Sequence, residues 1–477
     1  MKTALARLRL PDRLPARMGL AALAILLAFA IFFWKERIFF GDASWIAFRV
    51  INFGTLQIQE HRYGSFITQL FPLLAVKAGW PLEAVLFLYS ISFNLFYLAA
   101  GLFLFRWRQD AFLVLLALYF TVSVSVGFYW TNNEVHQGFA WLMLFFGWTS
   151  RPATKGFLFY PVAFGLLFAA LSSHMLLLLA GGSMGMLLLL LRRPPFGGTP
   201  RGWILLLGGI ALAGWRYYMS KVLGWYDEEK LSFIDTLRFA QIPEAFRKES
   251  SLGFLERWPQ YYPLLPLLLL LAFGVLLAQK HWLAAGWHLL SLAAFWFFIS
   301  MAFSDFTPWY AESDWASWTA VALAPLVLAL PLNRSKNVVA GFLLLLFGVS
   351  LSRIWYSSAP FGRRLQQIEQ LVQNLQDRKL DKAAVVLADS RALEASLILS
   401  WPLPVEVYSL AALSGKKPVT SLGILSAAEQ LPATPDTLLI PFGKLSAKDF
   451  HPAYFPVDSF HTYTLLPQDT LLRWLEP

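Results

Sequence analysis

Cysteine is absent from this 477-residue chain, and charged residues are scarce. Without cysteine the chain can form no disulfide bond, thiolate nucleophile or cysteine metal cluster. Asp, Glu, Lys and Arg make up 14% of the residues and hydrophobic residues 57%, whereas soluble domains carry about 25% charged residues. These deficits indicate an integral membrane protein.

Other familiar signals are missing as well. Gly415-Lys416-Lys417 has no glycine at the upstream spacing of a phosphate-binding loop, and the chain has no sequence repeat. No small-residue cleavage site follows the apolar run from Met18 to Phe33, so we predict a retained first helix. The net charge of +10 does not indicate nucleic-acid binding, because the basic residues separate apolar segments and form no stripe. We expect them to contact membrane lipids.

Apolar segments near the length that crosses a bilayer, about 20 residues, recur along the first 355 residues. They predict about eleven transmembrane helices, near residues 17–35, 82–105, 111–130, 134–150, 156–172, 174–191, 203–221, 262–278, 282–303, 315–332 and 338–355.

Basic and acidic residues fall on alternate connections between these segments. One set carries Arg7, Arg9, Arg13, Arg17, Arg106, Arg108, Arg151, Lys155, Arg192, Arg193, Arg201, Lys280, Arg334 and Lys336. The other carries Asp42, Glu60, Glu134, Asp227, Glu228, Glu229, Asp305, Glu312 and Asp314. The positive-inside rule places the first set, and the N-terminus, in the cytoplasm. An odd number of spans then places the C-terminus outside.

The predicted fold is thus an α-helical polytopic membrane protein with a small C-terminal α/β domain. Residues 1–355 form the membrane module, with a first outer loop at 36–81 and a second outer stretch at 222–261, both containing interfacial helices. Residues 356–477 form the extracytoplasmic domain, with a helix at 362–380 and strands at Ala383–Ala388, Val405–Leu410 and Thr437–Phe442. We expect the protein in the plasma (inner) membrane.

This layout, with an acid just beyond the first helix in Gly41-Asp42-Ala43-Ser44, resembles the GT-C superfamily of polytopic glycosyltransferases. The resemblance is architectural and covers most of the chain. It implies a polyprenyl-phosphate sugar donor, a glycan, lipid or protein acceptor, and inverting transfer outside the cytoplasm. The family's first-loop acid is often a pair, and here it is single.

Asp42 is the predicted general base, because a carboxylate at the lipid–water boundary can take the acceptor's hydroxyl proton. The alternative is that Asp42 caps a helix that begins near Trp45. Glu60, His61 and Arg62 are predicted to bind substrate, with Arg62 holding the phosphate through its planar fork. The alternative for these three is a solvated loop or a lipid-headgroup contact.

Glu134 and His136 form a second candidate catalytic pair at the predicted mouth of two spans, and the alternative is a structural turn. His174 is a candidate substrate contact or a packing residue. Substrate-binding bases are also predicted at Lys221, Arg238, Arg247 and Lys248, unless nearby acids neutralise them.

Glu312 and Asp314 form an acid-x-acid pair that suits a divalent cation, Mg²⁺ or Mn²⁺, although chance or helix capping explains it equally well. The divalent cation is the one candidate cofactor, and the sequence leaves the need for a metal open. Competing functions are a lipid or polysaccharide transporter, an O-antigen-type polymerase or ligase, and a scaffold without enzymatic activity.

Overall fold

The computed structural model describes residues 13–151, 156–196, 200–222, 225–238, 241–304, 308–330, 336–387, 391–415, 419–426 and 429–475. The fold is mostly helical, and a small β-region lies near the C-terminus.

Seventeen helices are described before the C-terminal domain. The first six are α1 (Leu14–Phe32), α2 (Trp34–Ile38), α3 (Asp42–Phe53), α4 (Phe66–Lys77), α5 (Leu82–Arg106) and α6 (Asp110–Leu118). The next six are α7 (Glu134–Thr149), α8 (Phe159–Ser173), α9 (Leu176–Leu190), α10 (Pro200–Val222), α11 (Trp225–Leu231) and α12 (Gln241–Ala245). The last five are α13 (Glu249–Tyr261), α14 (Leu265–Ala278), α15 (Trp282–Ala302), α16 (Pro308–Leu328) and α17 (Lys336–Tyr356).

Within the described residues, four helical segments are long and apolar enough to cross a membrane. They are α1, α5, α15 and the continuous segment Asn337–Asp377. A fifth crossing arises if α13 and α14, bent by 96° relative to each other, count as one broken span. These helices are compatible with a membrane protein. The predicted number of eleven crossings and their orientation stay predictions.

Several predicted spans are shorter helices in the structure. Asp110–Ser123, Phe159–Ser173 and Leu176–Leu190 each contain 10–17 residues, and a helix of 15 residues extends only about 22 Å. The predicted division near residue 173 is confirmed, because α8 ends at Ser173 and α9 begins at Leu176. The predicted span 111–130 is broken, since α6 passes into a π-helical turn at Tyr119–Ser123 and a 3-10 turn at Ser125–Tyr129.

The predicted helices of the first loop are confirmed as helices. α3 begins three residues before the expected position, and α4 covers the predicted apolar piece with Pro72 inside it. On α3 the residues Asp42, Trp45, Arg49 and Phe53 are at least partly exposed, and the other eight are buried. This spacing of three and four residues places the four on one face of the helix.

The C-terminal domain combines α18 (Ala359–Asp377), α19 (Arg391–Leu397), α20 (Leu403–Leu413) and α21 (Gln468–Leu475) with β1 (Lys382–Leu387), β2 (Ser421–Ser426), β3 (Thr437–Ile440), β4 (Gly443–Ser446) and β5 (Thr464–Leu466). Strands β2, β1 and β5 form a parallel sheet in that order, and β3 and β4 form an antiparallel hairpin. The predicted strands at 383 and 437 are confirmed.

The predicted strand Val405–Leu410 is wrong, because these residues lie in α20. Pro404 stands in the first turn of that helix, where proline is well accommodated. Since α20 is buried on almost every side, it has no polar face that would have marked it as a helix in the sequence.

A buried arginine attaches the C-terminal domain to the first loop. Arg364 of α18 donates to the carbonyl oxygens of Phe39, Leu397 and Leu399 at 2.6, 2.8 and 2.9 Å. It also pairs with Glu406 of α20 at 2.7 Å. Because Phe39 lies three residues before Asp42, this contact fixes the backbone that leads into α3.

Candidate functional site

Four charged residues, the Arg62 cluster (Arg62, Glu134, Arg216 and Asp227), join four segments of the chain. Arg216 and Asp227 are buried, and Arg62 and Glu134 are partly buried. Arg62 Nη1 lies 3.2 Å from Glu134 Oε2, and Arg62 Nη2 lies 3.4 Å from Asp227 Oδ1. The second oxygen of Asp227 lies 2.5 Å from Arg216 Nη2. The first loop, the start of α7, α10 and α11 therefore meet at one point.

Backbone geometry presents Arg62 to this cluster. Glu60 and His61 both adopt positive φ, at 46° and 55°, in a tight turn that ends where Tyr63–Ser65 forms a 3-10 turn. Gly64 lies in this 3-10 turn, and a side chain there would clash with the carbonyl oxygen of Ala169. Glycine at 64 thus allows the turn to pack directly against α8.

Asp227 remains ionised in this cluster. Burial raises the pKa of its carboxyl, but the positive charges of Arg62 and then Arg216 outweigh burial and leave the pKa below its usual value. The opposing charges in the cluster, two guanidiniums and two carboxylates, sum to zero. Buried ion pairs are stable only when they are matched in this way.

Asp42 lies beside this cluster and has a different environment. Burial raises the pKa of Asp42 to about 7; the negative charge of Glu134 adds to the rise, and Arg62 and a hydrogen bond with Trp130 oppose it. Near neutral pH the carboxyl therefore exchanges readily between its protonated and ionised forms. A general base needs this property.

The helix-capping alternative for Asp42 does not match the structure. The residue before the helix is Gly41, with φ of 61°, and no side chain caps the first turn of α3. Asp42 is the first residue of α3 and lies on its more exposed face, at the end of the row formed by Trp45 and Arg49.

Aromatic residues of the C-terminal domain stand over the same face of α3. The ring of Phe442, at the tip of the β3–β4 hairpin, lies 6.2 Å from Trp45 and 5.2 Å from Trp401. Phe442 is 83% exposed, and its φ is 62°, a backbone conformation that costs energy for residues other than glycine. We call the more exposed side of α3 the α3 face; Asp42 lies at its N-terminal end, and the rings of Phe442 and Trp401 lie beside Trp45.

The predicted pair Glu134 and His136 separates in the structure. Asn133 caps α7 by accepting from the backbone nitrogens of Val135 and His136 at 3.0 and 3.3 Å. Glu134 then contacts Arg62, whereas the His136 Nδ1 lies 2.8 Å from the hydroxyl oxygen of Tyr119. Only Glu134 belongs to the Arg62 cluster, and a catalytic role for His136 stays a prediction.

His174 lies next to the Arg62 cluster in the connection between α8 and α9. Its Nδ1 accepts a hydrogen bond from the backbone nitrogen of Leu176 at 3.2 Å. The side chain is buried, and the charges of Arg62, Asp227 and Arg216 all act on it. His61 is placed differently, with its Nδ1 3.2 Å from the Tyr63 hydroxyl.

The predicted basic residues of the second stretch do not join the cluster. Lys221 pairs with Asp235 at 2.5 Å, which fits the alternative of a neutralised base. Arg238, Arg247 and Lys248 lie around the short helix α12, and their substrate-binding role stays a prediction. The second arginine of the cluster, Arg216, comes instead from α10, within the predicted span 203–221, and was not among the predicted site residues.

The metal prediction at Glu312 and Asp314 falls on the first turns of α16, whose side chains lie outside the described residues. Among described residues, potential metal ligands come together at Asp381, Asp458 and His461 in the C-terminal domain. A hydrogen bond of 2.7 Å from His461 Nδ1 to Asp458 explains this group without a metal.

Arg37, which is 2% exposed, was also not among the predicted site residues. A sequence signal was available for both missed arginines, because a cation inside or next to an apolar segment is costly and is usually retained for a purpose. Comparison of the chain with models of protein families, with curated proteins and with solved structures gave no match.

Proposed function

We propose that this chain is an inverting membrane glycosyltransferase that takes a sugar from a polyprenyl-phosphate donor. The acceptor is a glycan, lipid or protein on the outer side of the plasma membrane. The observation that supports this best is the position of Asp42, a partly exposed carboxyl with a pKa near 7 beside the Arg62 cluster. In this proposal the N-terminus is cytoplasmic, the chain crosses the membrane about eleven times, and the C-terminal domain lies outside.

In this reaction Asp42 accepts the proton of the acceptor hydroxyl. The acceptor oxygen forms a bond to the anomeric carbon of the donor sugar, and the bond from that carbon to the phosphate oxygen breaks. The electron pair of the broken bond stays on the phosphate. No oxidant or further reactant is needed.

Charge balance favours Asp42 as the base for a reaction in which phosphate is the leaving group. As the leaving phosphate gains negative charge, protonation removes the negative charge of Asp42, which is coupled electrostatically to both Glu134 and Arg62. The net charge of the site is therefore unchanged during transfer. Arginines held by carboxylates, as Arg62 and Arg216 are, are already oriented, which is how preorganised charges stabilise a transition state.

In this proposal the acceptor binds along the α3 face. The aromatic rings of Trp45, Trp401 and Phe442 offer flat apolar surfaces on which the C–H face of a sugar can rest. Arg49 stands one turn beyond Trp45, with its guanidinium 5.5 Å from that ring. The α3 face thus combines surfaces for stacking with a cation for hydrogen bonding.

One observation favours a second candidate, a lipid or polysaccharide transporter. Arg216 lies in α10 within the predicted span 203–221 and is 1% exposed, and buried charges at membrane depth often mark transport pathways. A transporter moves the lipid-linked sugar without breaking its bond to phosphate, so the two functions differ in their product.

The test is product formation by the full-length protein in lipid nanodiscs, supplied with a panel of radiolabelled polyprenyl-phosphate hexoses and pentoses and short oligosaccharide acceptors. We expect free polyprenyl phosphate to accumulate with one donor, and Asp42→Asn to lower kcat by at least about 10²-fold. Asp110→Asn is the matched control, because Asp110 is also the first residue of a helix and pairs with Arg13 instead. Equal rates for Asp42→Asn and wild type, or no cleavage of any donor, would overturn the proposal.

A further inference from the structure

A small buried cavity beside the first helix is lined by three polar side chains whose hydrogen-bonding capacity is not filled. The cavity has a volume of about 20 Å³, room for one occupant of the size of a water molecule. Arg37, Tyr97 and His136 all line it. Among the described residues, Arg37 Nε, the Tyr97 hydroxyl and His136 Nε2 are buried atoms with no hydrogen-bond partner.

Arg37 is a cation without a carboxylate partner in the described part of the chain. Its guanidinium donates to the carbonyl oxygens of Phe128 and Ser90, and to Asn94 Oδ1 at 2.8 Å. It also lies 4.2 Å from the ring centre of Phe128. Neutral oxygens and an aromatic face solvate the charge without cancelling it, and an unmatched buried charge is costly.

Each unfilled atom can donate a hydrogen. Arg37 Nε carries hydrogen at every accessible pH, and a phenol donates readily. For His136, the hydroxyl of Tyr119 lies 2.8 Å from Nδ1. When Tyr119 donates to Nδ1, the one hydrogen of the neutral ring resides on Nε2. The amide oxygen of Asn94, which also lines the cavity, already accepts from Arg37.

We infer that this cavity binds a single small inorganic anion, of which chloride is the abundant cellular representative. An anion can accept from all three donors and cancels the charge of Arg37, whereas a water molecule could fill hydrogen bonds but would leave that charge uncompensated. The acid nearest in sequence to His136 is Glu134, and it is already paired with Arg62. Glu134 acts electrostatically on Tyr97, but the lining of the cavity includes no residue of the Arg62 cluster, and the inference does not depend on the proposed function.

The site holds several elements together. Arg37 comes from α2, Asn94 and Tyr97 from α5, and His136 from α7. Phe120 of the π-helical turn completes the wall, with its ring 3.9 Å from that of Tyr97. An anion at this position links the first loop to the bundle, and its removal leaves α2 attached through fewer contacts.

The first experiment is thermal unfolding of the full-length protein in detergent, with sodium chloride exchanged for sodium gluconate at constant ionic strength. We expect the unfolding temperature to rise with chloride and to saturate. In Tyr97→Phe the half-saturating concentration should rise about tenfold or more, because one hydrogen bond to a charged group is lost. Tyr89→Phe is the matched control, since Tyr89 is also a buried tyrosine of α5 but bonds to Asn132.

The second experiment is diffraction from crystals grown in sodium bromide, in which a bound halide gives an anomalous peak between Arg37 and His136. Arg37→Met should abolish both that peak and the chloride dependence. If Arg37→Met does not fold, the test consists of the chloride dependence of Tyr97→Phe and the bromide peak in wild-type crystals. No bromide peak in the wild-type cavity, equal stabilisation by chloride and gluconate, or equal effects of Tyr97→Phe and Tyr89→Phe would overturn the inference.

Discussion

The guanidinium of Arg62 lies 3.4 Å from the carboxylate of Asp227, although 165 residues separate them in the sequence. This contact joins the first loop to the helix after α10. Both residues make a further ion pair, Arg62 with Glu134 and Asp227 with Arg216. Four distant segments therefore depend on one another for charge neutrality.

Removing the shared carboxylate should destabilise the fold strongly. In Asp227→Asn, Arg216 and Arg62 both lose an anion in a buried setting, where breaking one partner of a pair costs about 3 kcal/mol or more. Thermal unfolding should show this loss. Asp235→Asn is the control, because Asp235 is 64% exposed and pairs with Lys221, an arrangement that contributes about 1 kcal/mol at most. Equal losses in the two variants would contradict a buried network.

The stability of the protein should depend on pH through Asp42. Its pKa is about 7 in the folded protein against an ordinary value of 3.8, so the protonated form favours folding. This contribution is fully present below pH 4 and is lost as pH rises through 7. Asparagine mimics the protonated acid, so Asp42→Asn should be more stable than wild type at pH 8, by about 1–2 kcal/mol after allowance for partial exposure.

The measurement for Asp42 is the difference in unfolding temperature between Asp42→Asn and wild type, followed from pH 4 to pH 8. The difference should grow with pH and level off above 7. A difference that is constant over this range would show that the carboxyl titrates normally.

The aromatic tip over α3 should affect function and leave stability unchanged. Phe442 is 83% exposed, so Phe442→Ala removes little buried surface. If the proposed transfer occurs, this variant should raise the KM for the acceptor several-fold at an unchanged kcat, because it removes a binding surface and no reacting group. Phe460→Ala is the control, since Phe460 is equally exposed at 87%; an identical response of both variants would exclude a specific role for Phe442.

The attachment of the C-terminal domain should depend on the forked shape of arginine. Arg364 contacts four oxygens, and lysine has the charge without the planar fork. We expect Arg364→Lys to destabilise the domain contact by about 2 kcal/mol, seen as faster hydrogen exchange in residues 39–54 and 397–406. Arg363→Lys changes the exposed neighbouring residue and should leave exchange unaltered.

The sequence predicted the elements better than their contacts. Hydrophobic runs and loop composition located α1, α5, α15 and α17, the helices of the first loop, and Asp42. Arg216 was not predicted as a site residue because a single arginine changes the mean hydropathy of an apolar segment very little. Its partner Asp227 cannot be identified from the sequence, since only the fold brings the two residues together. Val405–Leu410 was assigned to a strand because a helix buried on all sides carries no period of 3.6 residues.

The contact of Arg364 with Phe39 spans 325 residues and sets an order of assembly during synthesis. The chain is made from its N-terminus, and the carbonyl of Phe39 leaves the ribosome long before its partner exists. The backbone that leads to Asp42 therefore lacks its hydrogen bond from Arg364 until α18 has been synthesised. A nascent chain that stalls before residue 364 carries Asp42 but lacks the contact that fixes the backbone leading into α3.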